Sequence, residues 1–304
     1  KVRQPPRPLF LDVSGRRLYY ATKDNHTMAI AHMTSSTRIL LDLSHDWAFS
    51  KGRPSRRWLG DGTEPAEEVV DLPHSWNAHD SFQMGRAYYR GYGAYRKPVA
   101  VPAGLDAGGR RWLLRSEGFY GTGDVWINGR RVADVDGQYL GFAVDVTGKL
   151  SFDGSSVLGV RLTNRCRSYV LPGIDDPDFL LYGGLAGRVW LEGVPEVHVD
   201  PEQVQVVSRV GGSGEADVRI HFVVCNVSAK PRRCEVSWSV DDGDGRTVAQ
   251  CAPVPLLVPG GAGSSVLMAE LPFLAPRLWS PDRPALYTAR GRIVEMANND
   301  PVMI

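Results

Sequence analysis

Short alternations of apolar and polar residues, separated by turn residues, run along the chain from about residue 38 onwards. A period of two residues is typical of half-buried β-strands. The Asn128-Gly129 pair predicts a tight hairpin between two such strands, because both residues tolerate positive φ. No stretch keeps helical spacing of apolar residues over three turns, so we expect an all-β protein with few helices. The pattern predicts strands at 38–43, 111–115, 124–128, 130–135, 157–163, 188–192, 216–224, 234–240, 247–249, 265–269 and 285–294. Trp126, Trp190 and Trp238 alternate with polar residues inside these strands and are expected in the core, whereas Trp279 is expected to plug a domain edge.

The grouping of these strands predicts two domains. Many short strands punctuated by turns favour a jelly-roll β-sandwich over residues 38–198. Pro195 and Pro201 mark a boundary between two series of strands. The second series, assigned to residues 199–304, has the size of an immunoglobulin-like β-sandwich and is expected to lack its last strand. Residues 1–37 are left as an unassigned N-terminal extension.

Charge and composition narrow the kind of ligand. Lys and Arg total 35 against 34 Asp and Glu, so the net charge is only +1. Nucleic-acid-binding proteins usually carry clustered basic charge, and therefore a neutral ligand such as a sugar is the better expectation. No apolar run approaches the ~20 residues that span a bilayer, so no membrane partner is predicted. Residues 1–37 lack the apolar core of a signal peptide, which favours the cytoplasm but leaves the location open.

The cysteines give no sign of a metal or redox site. Their spacing contains no Cys-x-x-Cys pair and no zinc-like arrangement with histidine, so we expect no metal and no cofactor. Cys225 and Cys234 could lie on neighbouring strands, but a chain of this length needs no disulfide, so we expect reduced, mostly buried thiols. The four cysteines are Cys166, Cys225, Cys234 and Cys251.

Four sequence blocks carry a resemblance to a known family. The first covers 72–80 and 88–97, the second 117–119, 125–129, 137–139 and 142–147, the third 178–185 and 189–191, and the fourth 278–287. In this order they resemble the front part of family 2 of the glycoside hydrolases. The resemblance implies a sugar-binding jelly roll and an immunoglobulin-like domain, followed in that family by a catalytic (β/α)₈ barrel.

The catalytic residues that the resemblance would require are missing from this sequence. Retaining glycosidases need two carboxyl groups about 5–5.5 Å apart. In the family both are barrel glutamates, and one directly follows an Asn; this sequence has no Asn-Glu dipeptide and no strand–helix repeats. We therefore expect no turnover by this chain alone. The third block also departs from the family pattern, because Ala186 and Gly187 stand where an aromatic residue and Arg are usual.

Five residues are candidates for holding a sugar, and no residue is a catalytic candidate. The resemblance implies that an acid at Asp178 helps hold a sugar hydroxyl, with a turn-capping role as the equal alternative. Tyr88, Tyr89 and Arg90 form a cluster suited to lining a sugar pocket, although core packing is slightly favoured. Asn77 is the fifth candidate, with a turn role as its default. His74 is expected to be a packed loop histidine rather than a base.

Three functional hypotheses remain open from sequence. In the first, the chain is the non-catalytic N-terminal region of a β-galactosidase-like or β-glucuronidase-like hydrolase. In the second it is a free-standing carbohydrate-binding module, and in the third it is an inactive truncated remnant. The expected partners are a β-galactoside or β-glucuronide and the missing barrel, with a homo-oligomer left open. A remnant predicts a large exposed apolar patch where the barrel would pack.

Overall fold

The structure is a computed structural model. It describes 38–60, 64–82, 87–99, 109–151, 155–165, 167–171, 173, 177, 179–212, 214–273, 275–297 and 300–303. These residues divide into two compact units, one from Ile39 to Gly193 and one from Val194 onwards, and each is described by itself.

The first unit is built from short antiparallel strands. In chain order they are β1 Ile39–Asp42, β2 Trp47–Lys51, β3 Glu68–Val70, β4 His74–Ser75, β5 Tyr92–Val99, β6 Arg111–Ser116, β7 Phe119–Ile127, β8 Arg130–Gln138, β9 Phe142–Asp145, β10 Ser156–Thr163, β11 Gly184–Leu185 and β12 Val189–Val194. A 3₁₀ turn covers Asp80–Phe82. The predicted hairpin turn is confirmed, with φ of 50° at Asn128 and 71° at Gly129.

Two sheets enclose the core of the first unit. The smaller sheet has the order β1-β12-β6-β9, and the larger has the order β3-β2-β5-β10-β7-β11-β4 with β8 paired to β7. Large side chains from both sheets fill the space between them, which makes the unit a β-sandwich. The bulkiest fully buried ones are Trp47, Phe49, Tyr95, Trp112 and Phe119.

A loop after β2 covers part of the outer face of the larger sheet. Trp58 and Leu59 pack there against Ala94 and Trp126 as a small separate cluster. The buried Arg96 guanidinium stacks 4.4 Å from the centre of the Trp58 ring system and donates to the Trp58 carbonyl oxygen at 2.9 Å. The loop is therefore anchored by a cation–π contact as well as by apolar packing.

The second unit is also a β-sandwich. Its strands are β13 Val197–Val199, β14 Gln205–Val210, β15 Ala216–Asn226, β16 Arg232–Asp241, β17 Thr247–Gln250, β18 Val254–Val258, β19 Gly263–Phe273, β20 Thr288–Ala297 and β21 Asp300–Met303. One sheet pairs β15 with β13, β14 and β19, and the other has the order β17-β16-β20-β21 with β18 paired to β16. A second 3₁₀ turn covers Pro201–Gln203. The core includes Ile220, Phe222, Trp238, Val258 and Leu271.

The all-β prediction is confirmed, and each predicted strand overlaps an observed one. Two predicted core tryptophans, Trp126 and Trp238, are buried. Trp190 is only half-buried, because Val189 and Leu191 take the inward positions of β12. Trp279, expected to plug a domain edge, is 61% exposed.

The prediction for the cysteines is partly wrong. Cys225 lies on β15 and Cys234 on β16, which are consecutive in the chain but belong to different sheets. Cys234 is buried, whereas Cys225 and Cys251 are half-buried, and none of these three described cysteines forms a disulfide. Cys166 lies outside the described residues.

Candidate functional site

Two buried asparagines fix the loops at one end of the first unit. Asn77 is 1% exposed and Asn164 is 0% exposed. Their side-chain amides both donate to the carbonyl oxygen of Leu181, at 3.0 Å and 2.9 Å. The Asn164 amide also donates to the Tyr89 carbonyl at 3.0 Å, and its oxygen accepts from the Gly91 N–H at 2.8 Å. Three loops that are distant in sequence therefore share one buried hydrogen-bond network.

The network changes the interpretation of Asn77. Its amide oxygen accepts from the Gly183 N–H at 2.9 Å and from the Ser75 hydroxyl at 3.1 Å, while its nitrogen is bonded to Leu181. A carboxamide so buried and so bonded positions the loop and presents no accessible surface to a sugar. The turn role that was its default fits this geometry.

The Tyr88–Arg90 cluster divides into three different environments. Tyr88 is 44% exposed, whereas Tyr89 and Arg90 are half-buried. The Tyr89 N–H donates to the Asp80 carboxylate at 2.8 Å and its hydroxyl donates to the Tyr92 carbonyl at 2.9 Å, while burial raises the pKa of that hydroxyl. The Arg90 guanidinium donates to the Pro177 carbonyl at 3.4 Å. Tyr88 is thus the member best placed to meet a ligand.

The structure describes His74 but not Asp178, the other residue singled out in the sequence motifs. Asp178 lies outside the described residues, so its sugar-holding role stays a prediction. His74 lies on β4 rather than in a loop, and its Nδ1 is 2.8 Å from the Tyr95 hydroxyl. Burial lowers the pKa of His74, against the opposing charge of Glu68, whose carboxylate is 4.0 Å from Nε2. The ring is a packed, neutral partner of a buried tyrosine.

Arg188, which follows Ala186 and Gly187 in the third block, forms an ion pair with Glu117. The Arg188 side chain donates to the Glu117 carboxylate at 2.8 Å, and the Arg188 N–H donates to the same group at 2.9 Å. These bonds hold the pKa of Glu117 below its usual range. Glu117 is therefore ionised near neutrality and is a poor candidate for a general acid.

Exposed apolar side chains cluster around the same loops. Their exposed fractions lie between 42% and 69%. The Tyr120 and Tyr139 rings are 5.2 Å apart, the Tyr120 hydroxyl donates to the Leu171 carbonyl, and the Tyr139 hydroxyl accepts from the Tyr182 N–H at 3.2 Å. We call this set the loop-end aromatic patch, and it comprises Tyr139, Leu140, Tyr169, Leu171, Phe179 and Tyr182. The alternation pattern gives no signal for it, because the side chains come from connections rather than strands.

The described residues give no indication of a metal centre. Among them, no group of three or more His, Cys, Asp or Glu side chains is arranged to hold a metal ion. No helix within the described ranges is long and apolar enough to cross a membrane.

Comparison with known proteins gives concordant results. Residues 197–302 match the family described as glycosyl hydrolases family 2. The chain is 28% identical over 277 residues to the β-galactosidase BoGH2A of Bacteroides ovatus, covering 85% of this chain and 30% of that protein. It is 29% identical over 245 residues to a β-glucuronidase of Bacteroides fragilis, covering 78% of this chain and 33% of that one.

A solved structure shares the fold. The β-glucuronidase of Bacteroides uniformis superposes with a TM-score of 0.76 at 24% sequence identity, over 87% of this chain and 31% of that one. The chain therefore spans between a quarter and a third of the length of the curated relatives that it matches.

Proposed function

We propose that this chain, whose residues 197–302 match the glycosyl hydrolases family 2, supplies the non-catalytic N-terminal β-sandwich domains of a β-galactosidase-like or β-glucuronidase-like enzyme. The whole enzyme would hydrolyse O-glycosyl bonds in carbohydrate metabolism through a barrel that is not among these residues. The observation that carries the proposal is the uneven coverage: most of this chain aligns with glycosidases of which it spans a third or less.

Two features of the chain support a non-catalytic role. The sequence contains no Asn-Glu dipeptide, which the family resemblance would require at the acid/base position. Glu117, an acid within a family-like block, is ion-paired to Arg188 and has a lowered pKa, whereas a general acid needs a raised one.

The loop-end aromatic patch suits packing against the catalytic part. Its six exposed apolar side chains would bury substantial area against a second surface, and aromatic residues are enriched in the buried centres of interfaces. The asparagine network holds the segment around Leu181 that carries Phe179 and Tyr182, so this part of the surface is formed before any contact is made. We therefore assign the patch to the barrel as its packing surface.

The test has two parts: sequencing the gene on either side of these codons, and assaying the purified chain for glycosidase activity. We expect the reading frame around these codons to encode strand–helix repeats with an Asn-Glu pair. We expect the purified chain to release no nitrophenol from aryl β-galactosides or β-glucuronides, while the longer protein does. Turnover by the chain alone, retained after repurification and absent from a mock preparation, would refute a non-catalytic role.

A second candidate function is a free-standing carbohydrate-binding module. It is favoured by the exposed ring of Tyr88 beside the half-buried Tyr89 and Arg90, since an exposed ring can stack on a sugar. Calorimetric titration with galactose and glucuronic acid tests it. Binding that is lost in Tyr88→Ala, in a frame that ends without a barrel, would favour the module over the enzyme.

A further inference from the structure

A cationic cleft lies on the first unit, beside the loop that follows β2. Three basic side chains gather there around two tyrosine rings. The Arg53 and Arg165 guanidinium carbons are 5.0 Å and 5.9 Å from the centre of the Tyr92 ring. The Lys51 ammonium is 5.4 Å from the centre of the Tyr89 ring. We define the cationic cleft by these five residues.

No described side chain neutralises the three cations Lys51, Arg53 and Arg165. Within the part of the chain that the structure describes, none of them lies within ion-pair distance of a carboxylate, and Arg165 donates only to the Arg90 carbonyl, at 3.5 Å. All three residues are exposed. Stacking on an aromatic ring leaves the N–H edge of a guanidinium available for a planar anion, and it reduces the entropy lost on binding.

A depression of about 560 Å³, open to solvent over much of its extent, adjoins two of the three cations. Lys51 and Arg53 line it together with Ser50, Trp58 and Glu64. Its wall is firm, because Trp58 is buried and its indole N–H donates to the Pro65 carbonyl at 3.1 Å.

The mixture of charges in the depression selects the ligand class. A dense polyanion would be repelled by Glu64, and by Glu67, whose carboxylate accepts from the Lys51 N–H at 3.0 Å. A ligand with one anionic group and several hydroxyls fits better, because a carboxylate and the Ser50 hydroxyl accept hydrogen bonds from hydroxyl groups. We propose that the cationic cleft binds the acidic group of an anionic saccharide, either a uronate carboxylate or a sulfate ester.

The proposal rests on the proposed function for the saccharide nature of the ligand, and the new element is a site on this chain for the acidic group. It assigns a binding role to Lys51, Arg53 and Arg165, which belong to none of the sequence candidates. Tyr89 and Tyr92 hold the cations in place rather than stacking on the sugar themselves.

The test is an NMR titration of the whole chain at low ionic strength. The probes are methyl β-D-glucuronide, its neutral counterpart methyl β-D-glucoside, glucose 6-sulfate and inorganic sulfate. We expect at least one acidic sugar to bind about tenfold more tightly than the neutral one, with a preference that shrinks as salt screens the charges. The uronide and the sulfate ester distinguish the two acidic groups.

Variants locate the site. The double variant Arg53→Gln/Arg165→Gln removes two exposed cations that bond none of the described carboxylates. We expect it to lose the tenfold preference while its melting temperature stays unchanged. The double variant Arg209→Gln/Arg233→Gln makes the same charge change on two exposed positions of the second unit and should keep the preference. Equal binding of acidic and neutral sugars overturns this inference but leaves sugar binding by the chain intact. Absence of binding by every sugar, or binding of inorganic sulfate alone, overturns the saccharide site as well.

Discussion

Removing the two buried asparagines one at a time and then together tests how the loops are held. Asn77 and Asn164 both donate to the Leu181 carbonyl, so either single substitution by alanine leaves that oxygen with one donor. Only the double variant leaves it with neither. The shared acceptor therefore predicts that the two substitutions are not additive.

The size of each effect follows from the groups that lose their partner. Asn164→Ala leaves the buried Gly91 N–H unpaired and the Tyr89 carbonyl with one bond fewer. A buried unpaired group costs about 1–3 kcal/mol, so we expect a loss of roughly 3 kcal/mol in the free energy of unfolding. Asn77→Ala leaves the Gly183 N–H unpaired, for roughly 1–3 kcal/mol. The double variant should exceed the sum of the two by about 1 kcal/mol or more.

The measurement is chemical unfolding combined with hydrogen exchange of peptides covering 88–91 and 177–183. A loss of 3 kcal/mol corresponds to a fall of roughly 6–12 °C in the melting temperature of a unit of this size. Asn226→Ala is the matched control, since Asn226 makes similar backbone bonds in the second unit and should combine additively with Asn164→Ala. Strict additivity of Asn77→Ala and Asn164→Ala would refute the shared acceptor.

Three further predictions concern other parts of the protein. Burial lowers the pKa of His74 below its ordinary 6.5, so below that pH the unfolded chain binds a proton more readily than the folded one. The free energy of unfolding should therefore fall as the pH drops below about 6.5, and it should fall less steeply in His74→Gln. Identical pH profiles from urea titrations of the two proteins would contradict this. In Gly60→Ala the added Cβ would lie 2.5 Å from the backbone of Gly129 in the hairpin turn, so we expect the free energy of unfolding to fall by roughly 1–3 kcal/mol. Gly243→Ala is the control: it has open space around it and should change the free energy of unfolding by less than about 0.5 kcal/mol. Arg115→Met removes the guanidinium that pairs with the buried carboxylate of Glu192 and should destabilise by about 3–5 kcal/mol, much of it recovered when Glu192→Met is added. A single variant as stable as the double one would be inconsistent with the ion pair.

The sequence was sufficient for the strand content, because alternation within a strand is a local property. The hairpin at Asn128-Gly129 is confirmed for the same reason. Alternation does not say which face points inward, so it predicts Trp190 in the core although Val189 and Leu191 take the inward positions. The strand Tyr92–Val99 was missed although it contributes the fully buried Tyr95, because it lies within a Tyr- and Gly-rich motif.

The candidate site was less predictable because its contacts join distant segments. Asn164 follows strand β10 in a polar stretch, and nothing local marks it as buried. Its role depends on Tyr89, Gly91 and Leu181, which lie 75, 73 and 17 residues away. Likewise, Arg53 and Arg165 meet on Tyr92 only after the sheet has formed. Such groupings follow from strand order, which spacing along the chain does not encode.

The asparagine network has a consequence for how this surface can diverge among related proteins. Both carboxamides hold main-chain atoms of Tyr89, Gly91, Leu181 and Gly183, and none of the side chains at those positions takes part in these bonds. Exposed neighbours such as Tyr88 and Tyr182 can therefore be exchanged without loosening the attachment of their loops. Two such anchors are enough to keep the loop backbone in place while the exposed side chains on it change.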